Sequence, residues 1–212
     1  MENIKLIIFD LDGTLVDAYL AINKSFNYAM RKFGYPARGP LVIRRAVGWG
    51  DDNLLKPFVK REDLASVLRV YRRHHRQSLV KYSRLITGAK RVLEYLKNKG
   101  YKLAVASNRP TEFSLILIKH LGIGRYFNFV LCADKLRHGK PHPEILNKII
   151  RKFSLSPAEA VYVGDMAIDA QAGRRAGIRT IIVPVGSSPK SQVKIEKPYR
   201  IINRISGLLK VL

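Results

Sequence analysis

The alternation of short apolar segments with helical segments in the C-terminal part of the chain constrains the fold most strongly. Apolar runs predict strands over four segments, 102–106, 129–133, 160–163 and 180–183. The segments beside them have helical periodicity and predict helices over 89–98, 111–121, 143–153 and 167–176. Strands that alternate with helices in this way form right-handed βαβ units around a parallel sheet. The strands lack polar alternation, which is typical of a sheet with helices on both faces.

The N-terminal part begins with a strand over 5–9 and then becomes helical. Helices are predicted from Ala18 to Phe33 with Asp17 as the N-cap, from Pro40 to the break at 48–50, and over 64–79. The sequence therefore predicts an α/β fold with two parts. They are a Rossmann-like parallel-sheet core of residues 1–16 and 84–212, and a small all-helical cap domain of residues 17–83 inserted after the first strand. A further strand over 199–202 and a short helix over 205–209 are predicted at one edge.

The composition of the chain favours a globular protein of the cytoplasm. Of its 212 residues, 47% are apolar, which is enough for a sizeable core. No apolar run approaches the roughly 18 residues that a membrane span needs, and the N-terminus lacks a signal peptide pattern. The single cysteine, Cys132, lies in an apolar run and has no second cysteine to pair with. We therefore expect a cytoplasmic protein without a membrane partner.

The net charge of +23 bears on binding partners more than on the fold. Residues 17–87 are the more densely positive part, with 15 Lys and Arg against 5 Asp and Glu. A basic surface can bind nucleic acid through its phosphates, or it can attract small anionic substrates to a cleft. Composition alone leaves both interpretations open.

Polar side chains follow the predicted strands, at the edge of the sheet where an open α/β fold binds its ligands. They come from four separate places in the chain and comprise Asp10 and Asp12, Ser107 and Asn108, Lys140, and Asp165 and Asp169. Carboxylates gathered so closely raise each other's pKa unless a cation neutralises them. Mg²⁺ takes oxygen ligands and bridges carboxylates to phosphate, so the cluster predicts a Mg²⁺ cofactor.

These four segments, in this order, resemble the motifs of the haloacid dehalogenase-superfamily hydrolases. The motifs are Asp10-Leu11-Asp12-Gly13-Thr14, Ser107, Lys140, and Gly164-Asp165-Met166-Ala167-Ile168-Asp169. The resemblance implies that Asp10 is the nucleophile and that Asp12 is the general acid/base. It also implies a metal site of Asp10, Asp12 through its backbone carbonyl, Asp165 and Asp169, and phosphate binding by Ser107 and Lys140. Backbone N–H groups near Thr14 and at Asn108 are expected to complete the phosphate site.

The resemblance also indicates the reaction. Family members that remove halide or cleave carbon–phosphorus bonds replace the second aspartate, so Asp12 favours phosphate ester chemistry. The preferred prediction is a Mg²⁺-dependent phosphatase that hydrolyses a small phosphorylated metabolite through an aspartyl-phosphate. Residues 41–55 resemble the phosphoglycolate phosphatase-like branch. A phosphomutase shares the second aspartate and is the alternative within the family, while a nucleic-acid-binding or scaffold protein is the alternative outside it.

Three cap residues are predicted to contribute to substrate specificity. Trp49 lies between two glycines in a loop that resembles the substrate-covering loop of relatives, and Arg44 and Arg45 precede it. We expect the arginines to meet an anionic group distal to the phosphate. His74 and His75 are adjacent on a predicted helix and point in different directions, so they are not expected to share a ligand. The sequence leaves the substrate and the oligomeric state open.

Overall fold

A computed structural model describes residues 3–184 and 187–212. Its described strands are β1 (Leu6–Phe9), β2 (Val16–Asp17), β3 (Arg84–Leu85), β4 (Lys102–Ser107), β5 (Phe129–Cys132), β6 (Ala160–Gly164), β7 (Arg179–Ile182) and β8 (Arg200–Ile201). Six of them form one sheet in the order β5-β4-β1-β6-β7-β8, and every neighbouring pair is parallel. The predicted α/β fold with a parallel sheet is therefore confirmed.

Helices account for most of the remaining described chain. They are α1 (Tyr19–Lys32), α2 (Pro40–Ala46), α3 (Asp51–Leu55), α4 (Leu64–Tyr82), α5 (Ala89–Asn98), α6 (Thr111–His120), α7 (Glu144–Lys152), α8 (Ala167–Arg175) and α9 (Lys190–Ile195). Short 3-10 helices cover Lys56–Phe58, Gly124–Tyr126, Ala133–Lys135, Pro157–Glu159 and Ile205–Lys210. The chain alternates strand and helix from α5 to β7, as the apolar pattern predicts.

The central strand β1 separates two apolar layers. Successive strand side chains point to opposite faces, so Ile7 and Phe9 enter one hydrophobic cluster while Leu6 and Ile8 enter another. Helices α5 and α6 contribute to the first cluster, and α7 and α8 contribute to the second. All four β1 side chains are fully buried. Burial on both faces explains why the strand reads as an unbroken apolar run.

Helices α1 to α4 form a third hydrophobic cluster of their own, which includes Phe26, Met30, Leu55 and Tyr71. The chain enters this helical part through β2 and leaves it through β3, and these two strands pair antiparallel. The ribbon lies at the predicted boundaries of the cap domain. The assignment of residues 17–83 as a separate cap domain stays a prediction.

Short elements account for most differences between prediction and structure. The helices α3 and α9 and the ribbon strands β2 and β3 were not expected, because segments this short take their conformation from tertiary contacts. The N-cap of α1 is Ala18 instead of Asp17, although the Asp17 carboxylate accepts a hydrogen bond from the Tyr19 N–H at 3.3 Å. Within 3–184 and 187–212, no helix has the length and apolar character needed to cross a membrane. A cytoplasmic location stays a prediction.

Candidate active site

The carboxyl ends of three adjacent strands place the predicted site residues together. β1 lies between β4 and β6, so the residues that follow Phe9, the last residues of β4 and the residues after Gly164 meet at one edge. The Asp10 N–H donates to the Val163 carbonyl at 2.8 Å, which continues the ladder one residue beyond the strand. Parallel strand order alone therefore brings residues from distant parts of the sequence into contact.

Gly13 lets the loop after β1 turn tightly against the site. Its φ is +79°, a conformation that side chains other than glycine rarely adopt. A Cβ atom at this position would overlap the Oδ2 atom of Asp165. The loop is closed by hydrogen bonds from the N–H groups of Leu15 and Val16 to the Leu11 carbonyl, at 3.0 and 2.9 Å. Glycine is thus required both for the turn and for the close approach of Asp165.

Lys140 lies at the centre of the site with only 4% of its surface exposed. Its Nζ donates to Asp10 Oδ1 at 2.6 Å, Asp169 Oδ1 at 2.8 Å and the Tyr162 hydroxyl at 2.9 Å. A longer contact of 3.2 Å reaches the Ala106 carbonyl. Burial alone would lower the pKa of Lys140, but the two carboxylates raise it above its ordinary value. The ammonium is therefore charged and holds Asp10 and Asp169 together.

The carboxylates of Asp10, Asp165 and Asp169 form a buried acidic cluster. Each offers an oxygen within 4.8 Å of the others. Asp169 Oδ2 accepts hydrogen bonds from the backbone N–H groups of Asp165 and Met166, at 3.2 and 3.0 Å. Burial raises the pKa of Asp10 to about 7, and burial followed by repulsion from Asp169 raises the pKa of Asp165 well above its ordinary value. The cluster holds more negative charge than Lys140 can neutralise.

This cluster suits a divalent cation. Asp165 Oδ2 is buried and has no hydrogen-bond partner among the described residues, which is costly for a carboxylate oxygen. Three carboxylates offer the oxygen ligands that Mg²⁺ prefers. The donor set of Asp10, Asp165 and Asp169 therefore fits the predicted cofactor.

Asp12 lies outside this cluster, in a bidentate ion pair with Arg109. The guanidinium Nε and Nη2 donate to the two oxygens of the Asp12 carboxylate, both at 2.7 Å. Both side chains are largely shielded from solvent. The Asp12 carboxylate is thus held beside the acidic cluster and not within it, as the predicted role of general acid/base requires.

The end of β4 contributes Ser107 and Asn108 in different ways. Ser107 is buried, and its hydroxyl accepts a hydrogen bond from the Arg109 N–H at 3.1 Å. The Asn108 amide nitrogen donates to the carbonyls of Gly48 and Lys140 at 2.8 and 2.9 Å, and its oxygen accepts from the Lys140 N–H at 2.8 Å. The Asn108 side chain therefore joins the helical part to the loop that carries Lys140. The predicted phosphate-binding roles of both residues, and that of Thr14, stay predictions.

A cavity of about 50 Å³ lies between the strand ends and the helical part. One wall is polar and includes Asp10, Asp12, Ser107 and Lys140, while the other is mainly apolar. The helical part supplies Ile22, Val47, Asp51, Leu54 and Tyr71 to that second wall. A cavity needs roughly 10–15 Å³ for one water molecule, so this one has room for only a small ligand.

The comparison with known families decides the assignment. A family model described as haloacid dehalogenase-like hydrolase matches residues 7–183. The chain belongs to the haloacid dehalogenase-like hydrolases. The match begins within β1 and ends just after β7, so it includes all four motifs.

Relatives of this hydrolase family match over almost the whole chain. The phosphoglycolate phosphatase of Haemophilus influenzae (strain ATCC 51907 / DSM 11121 / KW20 / Rd) is 31% identical over 98% of each chain. The phosphoglycolate phosphatase of Aquifex aeolicus is 30% identical over 98% of this chain and 96% of its own. A crystal structure described as a predicted phosphoglycolate phosphatase from Haemophilus somnus 129pt superposes with a TM-score of 0.94 at 29% identity, over 100% and 99% of the chains. The predicted enzyme class, a phosphatase of the haloacid dehalogenase type, is confirmed.

The three predicted specificity residues of this hydrolase lie outside the cavity wall. Trp49 is 46% exposed, and Arg45 is exposed on α2. The guanidinium of Arg44 lies over the Tyr19 ring at 4.3 Å from its centre. None of the three is among the described residues that line the cavity. Their role in specificity stays a prediction.

Sequence reasoning missed several residues of the site, namely Arg109, Asp51, Tyr71, His75 and Tyr162. Arg109 directly follows Ser107 and Asn108 at the end of β4, so its place next to two predicted site residues could have identified it as a site residue. Tyr162 lies within an apolar strand and reads as a core residue. The other three lie on α3 and α4, and nothing in their local sequence indicates that they face the strand ends.

The affinity of the acidic cluster for Mg²⁺ is expected to weaken below about pH 7. With the pKa of Asp10 raised to about 7, a proton occupies its carboxylate in the metal-free protein below that pH. Metal binding must release this proton, so the dissociation constant should rise about tenfold per pH unit as the pH falls. Calorimetric titration with Mg²⁺ between about pH 6 and 8 measures the slope. Asp10→Asn lacks this proton and should show a shallower slope, with the raised pKa of Asp165 as the remaining contribution, while a pH-independent affinity of the unmodified protein would contradict the prediction.

Proposed function

We propose that this hydrolase cleaves a small phosphomonoester in a Mg²⁺-dependent reaction through an aspartyl-phosphate on Asp10. Full-length relatives named phosphoglycolate phosphatases support phosphoglycolate as the first substrate to test. The observation that carries the proposal is the position of Lys140, which pairs with Asp10 and Asp169 at the polar wall of a small cavity. Asp12 lines the same wall.

In the first step, a carboxylate oxygen of Asp10 attacks the phosphorus atom. The bond from phosphorus to the ester oxygen breaks, and Asp12 donates a proton to that departing oxygen. Lys140 offsets the repulsion between the anionic nucleophile and the anionic phosphate. The products of this step are the free alcohol, a phosphorylated Asp10 and a deprotonated Asp12.

In the second step, Asp12 takes a proton from a water molecule that attacks the aspartyl-phosphate. The bond between phosphorus and the Asp10 oxygen breaks, which releases inorganic phosphate and restores both carboxyl groups to their starting forms. Mg²⁺ held by Asp10, Asp165 and Asp169 would stabilise the charge that develops on the transferring phosphoryl group. One residue thus serves as acid and then as base.

The shape of the site favours a small metabolite over a polymer. The cavity lies between the strand ends and helices α1, α3 and α4, and its volume is about 50 Å³. The net charge of +23 would increase the rate at which small anions reach it. Under this proposal the basic surface attracts small anionic substrates and needs no nucleic-acid partner.

A panel of phosphomonoesters, assayed with and without Mg²⁺, tests the proposed function. The panel should include phosphoglycolate, sugar phosphates, nucleotides and p-nitrophenyl phosphate. We expect Mg²⁺-dependent release of inorganic phosphate, with small esters hydrolysed faster than nucleotides. If no ester is turned over in the presence of Mg²⁺, the catalytic proposal is wrong.

Replacement of Trp49 by Ala is expected to raise KM or to change the order of preferred substrates. The residue follows Gly48, whose carbonyl accepts a hydrogen bond from Asn108, so the loop reaches the site although the indole is exposed. Steady-state kinetics across the same panel measures the effect, which we expect to be about two- to tenfold in kcat/KM. Tyr95→Ala is a matched control, because this aromatic side chain on α5 is 42% exposed. Unchanged kinetics for all substrates would remove Trp49 from the specificity residues.

A further inference from the structure

A buried chain of hydrogen bonds joins the Asp12 carboxylate to the helices of the cap. Arg109 donates to both Asp12 oxygens, and its remaining terminal nitrogen, Nη1, lies 2.7 Å from His75 Nε2 on α4. His75 Nδ1 lies 3.1 Å from the Ser25 hydroxyl on α1, which donates to the Ala21 carbonyl at 2.9 Å. Arg109, His75 and Ser25 are all buried. These hydrogen bonds therefore run from the sheet edge into the helical part through largely buried groups.

The chemistry of these groups determines where the hydrogens lie. A guanidinium has only donors, so His75 Nε2 must accept the hydrogen bond from Arg109. Burial and the Arg109 charge lower the pKa of His75 well below its ordinary value, so the ring is neutral. Its one proton therefore lies on Nδ1 and is donated to Ser25. In this arrangement each of these polar groups has a partner, and the hydrogen bonds all run in one direction, from Arg109 through His75 to Ser25.

Aromatic contacts hold the His75 ring from two sides. The ring stacks on Tyr71 of α4 with 4.9 Å between centres, and it meets the edge of Phe113 of α6 at 5.2 Å. Helix α6 follows directly after the segment that carries Arg109. The Arg109 guanidinium is thus held in one orientation by two contacts. His75 holds it on the side of helix α4, and Asp12 holds it on the side of the strand ends.

Asp12 has to be presented to a reacting oxygen in two steps, and small errors in its position are costly. Both carboxylate oxygens accept hydrogen bonds from Arg109, an arrangement that suits the step in which Asp12 takes a proton from water. To donate a proton to the leaving group, Asp12 must release at least one of these two bonds. A group that transfers protons has to lie within hydrogen-bond reach of the reacting atom, so its anchor influences the rate directly.

We propose that Arg109 is a positioning residue for Asp12, and that His75 on α4 sets the orientation of Arg109. Proton transfer by Asp12 then depends on helix α4 being docked against the sheet edge. The inference rests on the proposed function, since it explains how the general acid/base of that reaction is held in position. It predicts that esters whose leaving group needs a proton are more sensitive to the His75–Arg109 contact than esters whose leaving group does not.

The substitutions His75→Phe and His75→Gln separate this role from a structural one. Phenylalanine keeps an aromatic ring between Tyr71 and Phe113 but cannot accept the hydrogen bond from Arg109. Glutamine can place an amide oxygen near the position of Nε2 and restore the acceptor. His120→Gln is the control, because this histidine is exposed at the end of α6 and is not part of the hydrogen-bonded chain.

The readout is the ratio of kcat/KM for phosphoglycolate, or the best alkyl ester of the panel, to kcat/KM for p-nitrophenyl phosphate. The alkoxide needs a proton to leave, while p-nitrophenolate leaves without one, and kcat/KM reports the step in which the leaving group departs. General acid catalysis contributes about 10²- to 10⁴-fold, so a misdirected acid in His75→Phe should lower the ratio about tenfold or more. His75→Gln should recover most of the ratio, and His120→Gln should leave it within about twofold of the unmodified enzyme.

A second variant keeps the test valid if His75→Phe folds poorly. Arg109→Ala should lower the ratio about 10²-fold, and added guanidinium ion should restore part of the alkyl ester activity by filling the vacated space. An equal loss for both esters in His75→Phe and Arg109→Ala, or no rescue by His75→Gln and by guanidinium, would overturn the inference. Mg²⁺-dependent turnover by the unmodified enzyme tests the proposed function separately, so failure of one does not imply failure of the other.

Discussion

Replacement of Asp10 by Asn is expected to lower turnover of every phosphomonoester by about 10⁴-fold or more, because an amide is a poor nucleophile. The change is nearly isosteric and should leave the fold intact. Lys140 keeps its contacts with Asp169, Tyr162 and Ala106 in this variant. Loss of activity would therefore report the chemistry of Asp10 and not a collapse of the site.

The same substitution should change the pH dependence of stability in the absence of metal. Burial raises the pKa of Asp10 to about 7 from an ordinary value of 3.8. The folded protein therefore binds this proton more tightly than the unfolded chain, and stability falls as the pH rises from about 4 to 7. The shift of about three units corresponds to at most about 4 kcal/mol at pH 8. Asp10→Asn should show a smaller decline, so its Tm at pH 8 should equal or exceed that of the unmodified protein.

Phosphate release and thermal unfolding test both parts of this prediction. Asp52→Asn is a suitable control, because this carboxylate is exposed and its contact is a surface ion pair with Arg72. It should retain activity and Tm. An Asp10→Asn protein that retains more than about one hundredth of the activity would show that Asp10 is not the nucleophile.

Replacement of Lys140 by Met is expected to damage activity and stability together. The variant removes the ammonium that lies between Asp10 and Asp169, and it leaves the Tyr162 hydroxyl without one of its partners. Removal of one partner from a buried ion pair typically costs about 3–5 kcal/mol, because the other charge is left uncompensated. Activity should fall about 10³-fold, since the nucleophile and the phosphate then repel each other without a nearby cation.

The pH dependence of the Lys140→Met variant provides a further test of the physical cause. Without the ammonium, the pKa values of the carboxylates rise further, so the loss of stability should be largest at high pH and smaller at about pH 5. Denaturant unfolding at both pH values measures this difference. Lys135→Met, at an exposed position in the same segment, is the control and should change stability by less than about 0.5 kcal/mol. Equal destabilisation at both pH values would show that Lys140→Met is destabilised by lost packing and not by the lost charge.

Particular residues explain why the fold could be predicted from the sequence. The run Leu6-Ile7-Ile8-Phe9 can be buried on both faces only as a central strand, and the parallel sheet then brings Asp10, Ser107 and Asp165 to one edge. The fold follows from apolar pattern and topology. The candidate site follows largely from the topology, because most of its residues lie at or just after strand ends, whereas Lys140 was recognised by its motif before a helix.

The residues that sequence analysis missed depend on contacts between distant segments. His75 meets Arg109 only because α4 packs against α6, and a buried neutral histidine has no local signature. The sequence also does not predict that Trp49 is exposed, because a lone tryptophan between glycines does not show which way its ring turns. The sequence does not show which residues of the helical part contact which residues at the strand ends.

The β2–β3 ribbon implies a specific kind of motion for the helical part. Both passages of the chain between sheet and helices run side by side as paired strands, with Val16 opposite Leu85 and Asp17 opposite Arg84. Two joined crossings resist sliding and twisting but permit bending, so we expect α1 to α4 to swing as a lever about one axis. β2 begins just beyond the loop of Asp12, which itself forms a bridge with Val16. The pivot of that lever and the proposed general acid/base, Asp12, therefore share the same short stretch of backbone.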